Sequence, residues 1–201
     1  MKKICLFILL AAFVIALASC GSKAPELDEI KDELTALIDA SAEINEIFFG
    51  EGVPVYARSG TDEETVMYDG MIESLDDYEM VRSDAKYLSI DEIKMAAEKV
   101  YSDDYLESIY DMAFVGYADE TVGVCAARYY EWDGWMYKSM SFEPVVTGTR
   151  TYDCDTMKIV KPSRADYVNF TVNSEKDGEK LTVTLSAILT DDGWRLDSPT
   201  Y

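Results

Sequence analysis

An α+β fold, with N-terminal helices packed on a curved antiparallel meander of five to six strands, is what this 201-residue chain predicts. Three observations carry the expectation. Apolar residues recur at three- and four-residue steps in three stretches before residue 118, the period of a helix with one buried face. From Val122 onward the period is two, as in strands with one buried and one wet face. Asp133-Gly134 and Asp177-Gly178 interrupt that second pattern, and Asp-Gly between alternating runs marks a tight hairpin. Helices first and strands afterwards make an α+β domain over residues 25–201, with a helical part at 25–118 and a sheet part at 119–201.

The first helix is expected from Pro25 to Phe49. Leu27, Ile30, Leu34, Leu37, Ile38, Ile44, Ile47 and Phe48 form one apolar stripe with acidic residues opposite. Pro25 suits a first-turn position and Gly50 the residue just past the end. Residues 50–70 hold glycines, a proline and the acidic run Asp62-Glu63-Glu64. That run lacks the spacing of an EF-hand loop and reads as solvated. Val53, Val55 and Tyr56 are expected to form a short strand, and the ambiguous stretch Met71 to Lys86 allows another around Tyr78 to Arg82. Ser89 and Glu92 stand at capping-box spacing before an apolar face, which predicts a helix from Ile90 to Tyr101. Ser102 caps another, from Asp103 to about Met112. Strands follow at 122–132 and 135–142, at 152–161 (stopped by Pro162), at 167–174 and 180–190, and at 194–196. In the fifth, Leu181, Val183, Leu185, Ala187 and Leu189 define the buried face.

Before the domain stands an export signal. Lys2 and Lys3 precede an apolar run of 15 residues, Ile4 to Ala18, short of the roughly 20 that a spanning helix needs. An uncleaved anchor is the alternative, and the length argues against it. Leu17-Ala18-Ser19-Cys20 resembles the lipobox of bacterial lipoproteins. The resemblance implies a signal peptide at 1–19, a diacylglyceryl group on the sulfur of Cys20, and a lipidated tether over residues 20–24. Two acyl chains anchor stably where one is marginal. The expected location is extracytoplasmic, on the bacterial cell membrane.

Composition narrows the function classes. The chain carries 18 basic and 39 acidic residues, a net charge of −21. Nucleic acid and anionic lipid surfaces need basic patches, so neither is an expected partner of the domain. There is no histidine, which removes Ser-His-Asp and Cys-His catalysis and His-ligated zinc. No cofactor fingerprint, metal-ligand spacing or catalytic motif is present, so no cofactor is expected and an enzyme is not. Of four cysteines, Cys125 and Cys154 remain after Cys5 in the leader and Cys20 at the lipid. An exported pair permits one disulfide, with two buried thiols as the alternative.

Tyr87-Leu88-Ser89-Ile90-Asp91-Glu92-Ile93 and Val100 to Tyr105 resemble a stretch of the IseA-type proteins, exported inhibitors of cell-wall DL-endopeptidases. Residues Asp191 to Pro199 are similar to the C-terminal strand of that group and of NTF2-like and cystatin-like sheets. The resemblance implies a helical lobe beside a curved sheet, and a non-catalytic protein that occupies an enzyme's cleft.

The candidate binding residues lie on the Asp133-Gly134 hairpin: Tyr130, Trp132, Asp133, Trp135 and Tyr137. Trp and Tyr dominate interface hot spots and ligand platforms. Cross-strand aromatic packing explains the same residues as core. The expected function is a lipid-anchored, non-catalytic binding or inhibitor module at the cell wall, with a cell-wall hydrolase or other surface protein as partner. A lipoprotein presenting a small ligand or peptide is the alternative, and a carboxylate-based hydrolase a remoter one.

Overall fold

The computed structural model describes residues 23–56, 77–119, 123–146, 148 and 150–201. The expected export signal, Cys20 as the expected lipidation site and the acidic run at 62–64 lie outside the described residues. The chain folds as α+β. Helix α1 (Leu27–Phe49) is followed by β1 (Tyr78–Met80), α2 (Ile90–Ala97), α3 (Asp103–Tyr110), a π-helical turn (Asp111–Val115), and strands β2 (Tyr117–Asp119), β3 (Gly123–Cys125), β4 (Tyr129–Trp132), β5 (Trp135–Ser139), β6 (Thr151–Arg164), β7 (Tyr167–Lys176), β8 (Glu179–Thr190) and β9 (Gly193–Leu196).

Instead of one meander, the later strands divide. β6-β7-β8-β9 form a four-stranded antiparallel meander, β1-β5-β4 form a three-stranded sheet, and β2-β3 pair separately. A strand from the expected helical part, β1, thus completes the hairpin sheet. The run from Val122 to Trp132 breaks because β3 pairs back on β2, whereas β4 pairs with β5.

Helix α1 lies across the meander. Leu34 and Ile38 on the helix meet Val168, Phe170, Val172, Leu185, Ala187 and Leu196 in one buried cluster. Alternate residues of β7 point into it. In β8 the expected buried face holds only in the middle: Leu181 and Leu189 are 45% and 44% exposed. β6 continues beyond Pro162 to Arg164. It is the edge of its sheet, where a missing amide donor is tolerated. The pairing shifts between Val160 and Arg164, and Ser163 fills the gap by accepting from the Asn169 amide at 2.9 Å.

Local signals explain the helix ends. Glu26 and Glu29 form a reciprocal capping box at the start of α1, so Pro25 precedes the cap. Ser89 Oγ accepts from the Glu92 amide at 3.1 Å, and Ser102 Oγ from the Tyr105 amide at 3.2 Å. α2 ends at Ala97, short of the expected Tyr101. The chain there leaves the helix so that Ser102 donates its amide to Leu196 and Val100 accepts from the Leu196 amide, both at 2.8 Å. This adds a parallel bridge to the free side of β9.

The C-terminal end of α1 decides where the hairpin goes. Its last turn has no basic residue, so its negative dipole end and open carbonyls need donors from elsewhere. Tyr129 Oη donates to Ile47 O at 2.7 Å, Arg128 Nη2 to Gly50 O at 2.6 Å, and Lys138 Nζ to Glu51 O at 2.7 Å. Gly52 (φ 79°) lets the backbone close over them; a Cβ there would lie 2.5 Å from Tyr129 Oη. Arg128 is only 2% exposed. Its Nη1 has no hydrogen-bond partner among the described residues, and its guanidinium lies 4.0 Å from the Phe142 ring centroid, a favourable cation–π placement. Burial lowers the Lys138 pKa, and the Arg128 charge lowers it further.

Two predictions follow from this packing. Arg128→Ala strips a buried donor from the end of α1 and is expected to cost about 3 kcal/mol in urea unfolding, as for other buried charged hydrogen bonds; a loss below about 1 kcal/mol would show that the helix end is satisfied without it. The second concerns pH. Burial raises the pKa of Tyr101, Tyr105, Tyr110, Tyr129 and Tyr152, the last to about 12. A raised pKa in the folded state contributes stability that is whole below the unfolded phenol value of about 10 and is lost as pH rises through the folded value. Lys138 and Tyr56, with their pKa lowered, work in the opposite sense, but the raised tyrosines outnumber them. Stability from chemical denaturation should hold level to about pH 9 and fall above about pH 10; a flat profile through pH 11 would refute the assignment.

Candidate functional site

The hairpin's own register sorts its side chains. Tyr130 pairs with Tyr137 and Trp132 with Trp135, while Tyr129 pairs with Lys138 and Glu131 with Met136. Directly opposed residues share a face, and neighbours along a strand alternate. Tyr129, Lys138 and Met136 point to the core, where all three are buried. Tyr130, Trp132, Trp135 and Tyr137 therefore share the other face.

β1 extends that face. Met80 pairs with Tyr137 and Tyr78 with Ser139, so Tyr78 and Met80 join it. Tyr78 and Tyr130 meet edge to face, with ring centroids 6.5 Å apart. Tyr78 is buried and donates its hydroxyl to Ala127 O, which holds the base of the aromatic row rigid. Toward the tip the row opens: Trp132 is 36% exposed and Trp135 50%. Asp133 and Gly134 turn the chain with φ of 48° and 80°, the tight turn whose twist matches the flanking strands. Asp133 is exposed at the apex. All five expected residues are thus brought together. Tyr130 and Tyr137 are half-buried supports, and the two tryptophans are the outer contacts. Desolvation raises the Tyr137 pKa, and Asp133 adds to the shift, so its phenol is neutral at physiological pH.

Glu131 has a role that sequence reasoning missed. It points away from the aromatic row, and its Oε1 accepts from the Ile90 amide at 2.6 Å. A carboxylate at a helix N-terminus satisfies an open donor and the dipole together. With the clamp at the end of α1, this ties the hairpin to two helices. The only hint in the sequence was an acidic residue at an inward position of an alternating strand.

Cys154 carries a free thiol, half-buried in β6. Burial raises its pKa, opposed by a hydrogen bond with Thr35. Cys125 ends β3, and its side chain lies outside the described residues. Among the described residues no three or more metal-ligating side chains come together, and no helix is long and apolar enough to cross a membrane.

No protein-family model matches the chain, and no curated protein matches it. The free thiol of Cys154 predicts that intact mass spectra with and without reductant will agree; a two-proton gain on reduction would demonstrate a bridge to Cys125.

Proposed function

We propose that the chain is a non-catalytic binding or inhibitor module, held outside the cytoplasm by lipidated Cys20, whose contact surface is the aromatic face of the β4–β5 hairpin. The observation that carries this reading is the exposed Trp132–Trp135 pair on a rigid base of tyrosines. Aromatic anchors of this kind lose little conformational freedom on binding and bury much area. Held on backbone-paired strands, they are also pre-organised. The partner class is the one the resemblance implies, a cell-wall endopeptidase. The lipobox adds to the reading: a short lipid tether raises the effective concentration toward neighbouring surface proteins, so that modest affinity suffices. The acidic charge disfavours anionic partners.

The test measures cell-wall digestion by a DL-endopeptidase with and without the full-length protein. Inhibition is expected, and Trp132→Ala and Trp135→Ala should each weaken it by at least about tenfold, as hot-spot truncations do. The melting temperature should stay within a few degrees, since both side chains are exposed. Absence of inhibition would overturn the partner class. Inhibition unchanged in both variants would overturn the site.

A further inference from the structure

Between α1 and the β7–β8 hairpin end of the meander, the helix and sheet layers part to leave a cavity of about 230 Å³. At about 30 Å³ per water, that is room for roughly seven waters, or for a small organic molecule. Its polar base is a closed network. Thr200 Oγ1 accepts from Asn45 Nδ2 at 2.8 Å and donates to Ser41 Oγ at 2.7 Å. Ser41 donates to Ile38 O at 2.6 Å, and Tyr101 Oη donates to Asn45 Oδ1 at 2.8 Å. Asn45, Ser41 and Thr200 are all buried. Tyr152 adds an aromatic wall, fixed by its hydroxyl donating to Thr200 O at 2.7 Å.

Two cations converge on this cavity, Arg150 and Lys176. Arg150 is half-buried, and its Nη1 donates to the buried Ser174 hydroxyl at 3.0 Å, which aims the guanidinium. Neither cation forms an ion pair among the described residues. In a chain with 39 acidic residues against 18 basic ones, two cations at one cavity with no ion pair among the described residues stand out. Two carboxylates lie close. Glu46 lines the cavity, but its Oε1 accepts from the Glu51 amide at 2.7 Å. Asp177 lies against Gly148 in the roof. Ile38 and Val146 make part of the wall apolar.

We infer that this cavity binds a small organic carboxylate with an apolar body, its carboxylate held by Arg150 and Lys176. A guanidinium fork matches a carboxylate's two oxygens. A monoanion adds one charge beside Glu46 and Asp177, whereas a phosphate dianion would add two and is disfavoured more strongly. The site shares no residue with the aromatic hairpin, so it stands or falls separately from the inhibitor reading.

Calorimetric titration of the full-length chain in neutral detergent tests it, with N-acetyl-leucine, N-acetyl-leucinamide and inorganic phosphate as probes. Binding of N-acetyl-leucine is expected, with the amide and phosphate weaker by at least about tenfold. The double variant Arg150→Gln/Lys176→Gln should lose the same factor. Ala42→Phe, on an exposed position of α1 that lines the cavity, should block binding without altering charge, and serves if the double variant does not fold. Trp135→Ala should bind as the parent does. Equal binding of acid and amide, tighter binding of phosphate, no heat from any probe, or binding that survives Ala42→Phe would each overturn the proposal.

Discussion

The negative end of α1, met by three donors from a hairpin far away in sequence, is the constraint on which the rest of the arrangement depends. A buried helix end with open carbonyls is unfavourable, and two buried cations that form no ion pair among the described residues are unfavourable as well. Together they satisfy each other. Arg128, Tyr129 and Lys138 reach the carbonyls of Gly50, Ile47 and Glu51, so neither half has a good alternative. The clamp also fixes register. Because Tyr129 and Lys138 must point inward, Tyr130 and Tyr137 must point outward, and a slip by one residue would reverse every side chain of the hairpin. The aromatic row is exposed as a consequence of how the helix end is satisfied.

Much of the local structure was legible in the sequence. The apolar stripe from Leu27 to Phe48, the hydroxyl caps at Ser89 and Ser102, and the Asp-Gly turns each act over a few residues, and each formed where its chemistry indicates. The candidate residues on the hairpin were legible for the same reason: alternation around a known turn determines which side chains share a face. What escaped was set by distant partners. Arg128 and Lys138 look like solvated charges until the end of α1 is placed beside them. The split into two sheets could not be read either, since β1 lies 55 residues before its partner: Met80 and Trp135 differ by that much in number, and no local pattern records the pairing. Nor could the early end of α2, which answers the need of β9 for a neighbour.

The sheet edges show how the fold resists pairing with other chains. β6 is long, yet its ladder is interrupted twice. At the first irregularity Thr156 replaces a backbone acceptor, taking the Asn173 amide at 2.9 Å; at the second stand Pro162 and Ser163. Bulges and proline on an edge strand deny a template to a second chain. On the opposite edge, Val100 to Ser102 cover β9.

Thr200 joins Ser41, Asn45 and Tyr101 in one buried network and accepts from Tyr152 through its carbonyl. The partners on α1 stand 155 and 159 residues earlier in the chain. Until residue 200 is made, Ser41 and Asn45 on α1 lack the partner that joins them to the end of the sheet. The long sequence separations set a large loop-closure cost before any of these contacts form. A nascent chain of this kind is kept from premature completion by its own topology.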